Sequence, residues 1–208
     1  NAFLDKLDLS KLQKVHFNGG EPLINQEHQQ VLERLLKTGK LASTFISYNT
    51  NGTLYPNKRT IELWGKARLV RLYFSIDAIG SAFNYIRYPG EWSMVENNLQ
   101  QYKQNMPSNV LFGLNVTVAG YNVLEMTALY KWFKDNLNTN REGDPSDFNW
   151  QFAYNFDLKD LCTDSVEHAI IELAPIEKLS GIVNYLKTYK TDNSWVKKLD
   201  EMDKRRNT

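Results

Sequence analysis

Five short runs of β-branched and aromatic residues alternate along this chain with longer stretches of helical periodicity. That alternation constrains the fold more than any other feature. The runs are Lys14–Asn18, Ser43–Tyr48, Leu69–Ile76, Val110–Val118 and Phe148–Tyr154. Their starts recur at roughly 25 to 40 residues, the size of βαβ units. The expected class is α/β with a parallel sheet, open or curled into a barrel.

The intervening segments read as helices. The first has Asn25 as its expected N-cap, apolar Val31, Leu32, Leu35 and Leu36, and a stop at Gly39. A second lies near Lys58–Trp64 and ends at Gly65. A third region breaks at Pro89-Gly90 and resumes over Ser93–Lys103, and a fourth covers Val123–Asn136. Residues 138–147, rich in Asn, Gly and Asp, read as a loop. The remainder is mostly helical, with interruptions expected at Pro175 and Gly181 and a polar break at Thr191–Ser194.

Composition narrows the function classes. The 25 basic and 24 acidic residues give a net charge of +1, which does not indicate a uniformly basic nucleic-acid binder. No apolar run approaches the roughly 18 residues of a membrane span, and Asn1–Lys14 lacks a signal-peptide pattern. The expectation is a cytoplasmic protein without membrane or nucleic-acid partners. The lone Cys162 excludes an internal disulfide. The opening Asn1 and the uncapped ending Lys204–Thr208 lead us to expect a piece of a longer chain.

In α/β folds of this kind ligands bind at the carboxyl ends of the strands. The first run is followed by Asn18-Gly19-Gly20-Glu21-Pro22. Its glycines allow positive φ and close backbone approach, and Glu21 adds an anionic acceptor, so the turn can hold an ammonium group. A plain strand-to-helix turn is the other reading. The second run ends in Asn49-Thr50-Asn51-Gly52, which is also an ordinary turn sequence. Ser75 and Asp77 share one side of the third strand, able to contact hydroxyls; Asp77 as a helix cap is the alternative. Asn115 and Thr117 stand at i and i+2 on the fourth, and an outward, half-exposed setting would also suit them.

Gly-Gly-Glu-Pro, Thr-Asn-Gly, Ser-x-Asp and Asn-x-Thr, in this order at successive strand ends, resemble the radical S-adenosylmethionine superfamily. The resemblance implies a partial (β/α) TIM-like barrel missing its first βα unit. Residues 1–165 would form barrel strands two to six, and 166–208 a helical segment leading towards a twitch extension. It implies that Gly19, Gly20, Glu21 and Pro22 contact the ammonium of S-adenosylmethionine. Ser75, Asp77 and Asn115 would take its ribose and carboxylate, with Thr50, Asn51 and Thr117 alongside. Arg87 matches a basic residue set against the cofactor carboxylate, and a surface salt bridge is its other reading. Phe152 sits where adenine is flanked, or belongs to the core. Arg87–Trp92 and Trp195–Arg206 look like the twitch-bearing branch.

The family's chemistry needs a 4Fe-4S cluster on a Cys-x3-Cys-x2-Cys loop, which one cysteine cannot supply. Its ligands are therefore expected upstream of residue 1, and this chain alone is expected to be inactive. His16, His28 and His168 lack metal-ligand spacing, and His16 is expected to pack or make one hydrogen bond. The complete protein would be an enzyme that cleaves S-adenosylmethionine to a 5′-deoxyadenosyl radical. It would take an electron from a donor such as a flavodoxin or ferredoxin and act on a peptide, nucleotide or small metabolite. The alternative is a degenerate, cluster-less barrel serving as a nucleotide-binding or protein-interaction module. Phe83, Tyr85, Tyr88, Trp92 and Tyr154 are candidates for a substrate cavity, or core. No Walker-type loop, nucleophile elbow or His-Glu-x-x-His supports another enzyme class.

Overall fold

The computed structural model describes residues 8–9, 11–137, 148–153, 163–188, 201 and 203–204. The loop read over 138–147, Tyr154, Cys162 and the break at 191–194 lie outside them, as does most of the twitch-like ending. Five strands, β1 (Lys14–Phe17), β2 (Phe45–Thr50), β3 (Leu69–Phe74), β4 (Val110–Val118) and β5 (Phe148–Phe152), form one sheet. They pair in sequence order and all in parallel. The helices between them are α1 (Glu27–Lys37), α2 (Lys58–Gly65), α3 (Gly80–Ile86), α4 (Trp92–Asn105) and α5 (Met126–Asn136); α6 (Thr163–Leu173) and α7 (Ser180–Thr188) follow β5.

The expected α/β class is what forms. Several boundaries differ from the expectation for identifiable reasons. Helix α1 starts at Glu27, with Gln26 rather than Asn25 before it and no side-chain cap. Ser43 and Thr44 do not extend β2. Leu41–Ser43 make a 3₁₀ turn in which the hydroxyls of Ser43 and Thr44 donate to the Lys40 carbonyl, a local bond that competes with the ladder. Gly181 does not interrupt the chain but lies in the first turn of α7. A Cβ there would come within 2.7 Å of the Trp150 ring, so the glycine admits the indole.

Alternation along the strands sorts side chains onto two unlike faces. The outer face carries Ile46, Tyr48, Val70, Leu72, Phe74, Leu114, Val116 and Val118, all at most 1% exposed beneath the helices. Tyr48 anchors one end. It stacks on Phe17 (4.7 Å between centroids), accepts from Trp64 Nε1 at 3.2 Å and is hydrogen-bonded to His28 Nδ1 at 3.2 Å. Helices α6 and α7 join the same core through Ala169, Leu173, Ile182 and Leu186. Among the described residues no helix is long and apolar enough to cross a membrane.

The inner face carries the polar side chains His16, Ser47, Asn49, Arg71, Tyr73, Asn115, Thr117, Asn149 and Gln151, with apolar Phe45, Leu69 and Leu111 towards the amino ends of the strands. Asn115 Nδ2 on β4 donates to Asn49 Oδ1 on β2 at 2.9 Å, across the intervening β3. On a flat sheet those strands would stand about 9.6 Å apart, so the sheet is concave on this side. It is a partial barrel with helices outside and a polar hollow inside.

Two stability outcomes follow. Alanine normally stabilises a helix relative to glycine by about 1 kcal/mol, yet Gly181→Ala is expected to lower stability by about 1–3 kcal/mol by displacing Trp150, measurable by urea denaturation. Burial holds the His28 imidazole below its ordinary 6.5. The unfolded chain therefore takes up a proton that the fold refuses, and stability falls as pH drops below about 6.5. The melting temperature is expected to decline over that range, less steeply in His28→Met.

Candidate functional site

The β1–α1 turn brings the first site residues together. Gly19 (φ 91°) and Gly20 (φ 54°) occupy the left-handed region, and a Cβ on either would meet no atom within 4 Å, so both backbones border open space. Glu21 is 8% exposed and accepts from Leu23 N (3.1 Å), Asn51 N (2.7 Å) and the Thr50 hydroxyl (2.9 Å). Three donors leave little of its acceptor capacity over. The carboxylate thus fastens the glycine turn to the end of β2, with Pro22 half-buried beside it. Thr50 and Asn51 serve this turn. Thr50 also accepts from Gly52 N at 3.2 Å, and the Asn51 carboxamide is bonded to Thr53.

A second knot lies at the ends of β3 and β4. Asp77, 4% exposed, accepts from Thr117 N at 2.7 Å through Oδ1 and pairs with Arg87 Nη2 at 2.5 Å through Oδ2. It does not cap α3, whose N-cap is Ile79. Both oxygens are engaged by protein donors. Burial raises the Asp77 pKa above the ordinary carboxylate range, and the Arg87 charge and the Thr117 amide act against that rise. Asn122, fully buried, donates to the carbonyls of Asp77 and Thr117 (2.9 Å each) and accepts from Ala119 N at 2.7 Å. Arg87 is no surface salt bridge: its partner is buried, and among the described residues its buried Nε finds no acceptor.

Between the knots opens a cavity of about 400 Å³ lined by Asn18, Asn49, Ser75, Arg87, Asn115, Thr117, Asn149 and Gln151, together with Val116 and Trp150. Asn115 and Thr117 therefore face inward, not out to a half-exposed surface. A line of carboxamides crosses the cavity. Asn149 donates to Asn115 (3.2 Å), Asn115 to Asn49 (2.9 Å) and Asn49 to Asn18 (3.3 Å). Sequence reasoning missed Asn18, Asn49, Asn122, Asn149 and Gln151 as site residues. For Asn149 and Gln151 the polar–apolar alternation of Phe148–Phe152 was the available signal. For the buried Asn122 there was none.

Phe152 falls on the other face. Its ring packs on Tyr185 of α7, with centroids 4.2 Å apart, and the residue is not among those lining the cavity. Phe83 and Trp92 are core, Tyr85 and Tyr88 are exposed, and Tyr85 donates to Asp203 at 2.9 Å. None of these four lines the cavity. His16 makes the single expected hydrogen bond, 2.8 Å to Ser47.

A concave parallel sheet with a polar cavity at its strand ends defines a partial (β/α) barrel. The family profile described as the Radical SAM superfamily matches residues 3–133, and the chain belongs to that superfamily. Among solved structures it is similar to native anSMEcpe with bound AdoMet, with TM-score 0.55 and 17% identity, over 91% of this chain and 51% of that one. It is similar too to native anSMEcpe with bound AdoMet and Cp18Cys peptide, with TM-score 0.56 and 16% identity, over 90% and 51%. These likenesses show the fold, and the chain spans about half the length of those proteins. A comparison with curated proteins finds no match.

Thr50→Val removes one donor from buried Glu21 and the acceptor of Gly52 N. It is expected to cost about 1–3 kcal/mol, while Thr50→Ser retains most of the stability, as denaturant titration would measure.

Proposed function

We infer that the complete protein binds S-adenosylmethionine in this cavity and belongs to the radical enzymes by activity as well as by family. The cavity at the carboxyl ends of the strands, with its line of asparagines, carries the reading. The residues present suit the cofactor's polar groups. Backbone at Gly19 and Gly20, held by Glu21 with Thr50 and Asn51 behind it, borders the space for an ammonium. Arg87, whose Nε has no acceptor among the described residues, fits a carboxylate, with Asp77 fixing the guanidinium. Ser75, Thr117 and Asn115 offer hydroxyls and a carboxamide to a ribose. When bound, the cofactor would supply a 5′-deoxyadenosyl radical for abstraction of a substrate hydrogen after reductive cleavage.

A 4Fe-4S cluster is part of this proposal, with its thiolates outside this chain. Among the described residues no group of His, Cys, Asp or Glu could hold a metal, and the chain has one cysteine. In this reading the ligands precede residue 1, a twitch-type extension follows, and a cytoplasmic flavodoxin or ferredoxin delivers the electron.

The test is anaerobic reconstitution of the full-length protein with iron and sulfide. Dithionite-dependent release of 5′-deoxyadenosine is expected. A protein that binds iron but releases none would sink the reading, as would one that takes up no iron with its cysteines intact. Asn115→Ala is expected to raise the KM for S-adenosylmethionine by about tenfold, the loss of one to two hydrogen bonds.

A further inference from the structure

The chain holds two Asn-Gly pairs, Asn18-Gly19 and Asn51-Gly52. This dipeptide is the most reactive setting for an asparagine side chain, because the following glycine has no Cβ to keep its backbone nitrogen away from the carboxamide. The two pairs are equal in sequence and differ in their surroundings.

Asn51-Gly52 is locked. Asn51 N donates to Glu21 Oε2 at 2.7 Å, and its Oδ1 accepts from the amide and the hydroxyl of Thr53 at 2.9 and 2.6 Å. Gly52 N donates to the Thr50 hydroxyl at 3.2 Å, and the Gly52 carbonyl accepts from Asn98 Nδ2 at 3.0 Å. The glycine is buried, and a Cβ on it would stand 3.2 Å from Val95. Neither the carboxamide nor the glycine nitrogen can turn towards the other without breaking these bonds.

Asn18-Gly19 has none of those restraints. Pairing of β1 with β2 ends at Phe17 and Tyr48, so the chain has left the ladder. Asn18 and Gly19 are exposed, and a Cβ on Gly19 or Gly20 would meet no atom within 4 Å, which leaves the backbone room to rotate. Among the described residues Gly19 N finds no backbone acceptor. Asn18 Oδ1 accepts from Asn49 Nδ2 at 3.3 Å. A donor on that oxygen polarises the carboxamide carbon and stabilises the negative charge that develops on the oxygen during attack.

We propose that Asn18 is a site of spontaneous deamidation, a covalent modification in the wall of the cavity. The Gly19 nitrogen attacks Asn18 Cγ and the new N–C bond closes a succinimide. The side-chain nitrogen leaves as ammonia, taking the proton that Gly19 gives up. Water then opens the ring at either carbonyl to give aspartate or isoaspartate, and nothing is oxidised or reduced. Both products put a carboxylate at the end of the asparagine line, where the wall was neutral. Isoaspartate also routes the main chain through the former side chain, one methylene longer, immediately before the Gly19-Gly20 turn. The modification needs no cofactor and goes beyond the cofactor reading, although it falls on the turn that reading uses.

The experiment incubates the full-length protein for days at mildly alkaline pH, in native buffer and in urea, and then digests it with trypsin. Cleavage after Lys14, Arg34, Lys40 and Lys58 separates the two pairs, and fragment-ion mass spectrometry locates the amide-to-acid conversion. In the folded protein Asn18 is expected to convert at least about tenfold faster than Asn51, which must first give up several hydrogen bonds. In urea the two rates are expected to converge, because the dipeptide is the same. Equal rates in the folded protein overturn the proposal, as does an Asn18 that converts only in urea. The mass readout is independent of S-adenosylmethionine, so this inference and the cofactor reading fail separately.

Discussion

The structure depends on burial of one face of a parallel sheet. Each strand must hide its outward row beneath helices, and here that row is almost wholly aliphatic and aromatic. Tyr48, Trp64, Phe74, Tyr102, Phe133 and Phe148 are fully buried. An aromatic side chain of this size removes about 150–250 Å² from water, so this layer dominates the driving force for folding. With stability supplied on the outside, the inside is free to carry asparagine, serine and arginine. A symmetric, two-faced apolar sheet would have left no hollow to use.

Polar groups on the rim are held by the protein itself. Glu21 and Asp77 are both buried carboxylates at strand ends, and both oxygens of each accept from protein donors. Each therefore works as a clamp: one joins the β1 turn to β2, the other joins β3 to β4 and fixes Arg87. Buried charges of this kind cost desolvation and are tolerated when hydrogen bonds complete their shells. The result is a preorganised set of backbone and side-chain groups around the cavity, which favours ligand binding by removing ordering costs beforehand.

The carboxamide line from Asn18 through Asn49 and Asn115 to Asn149 has the same logic. Asn115 is held at both ends, by Asn49 and Asn149, which fixes the direction of its remaining donor and acceptor.

The sequence by itself determined the class of fold and the order of the strand-end motifs, because strand and helix periods are local and glycines at 19 and 20 are demanded by positive φ. It could not tell which polar residue at a strand end meets a ligand and which meets another part of the protein. Thr50, Asn51 and Asp77 are motif residues, yet they hold Glu21, Thr53, Thr117 and Arg87. Asn49 and Asn149 belong to no motif, yet they line the cavity. Phe152 stands at a strand end, but its ring lies on the outer face against Tyr185. Gly181 marked a break by composition, and only the position of Trp150, thirty-one residues earlier in the chain, made it part of a helix. Tertiary structure decided these, because side-chain direction and partners are set by register and sheet curvature, which join residues far apart in the chain.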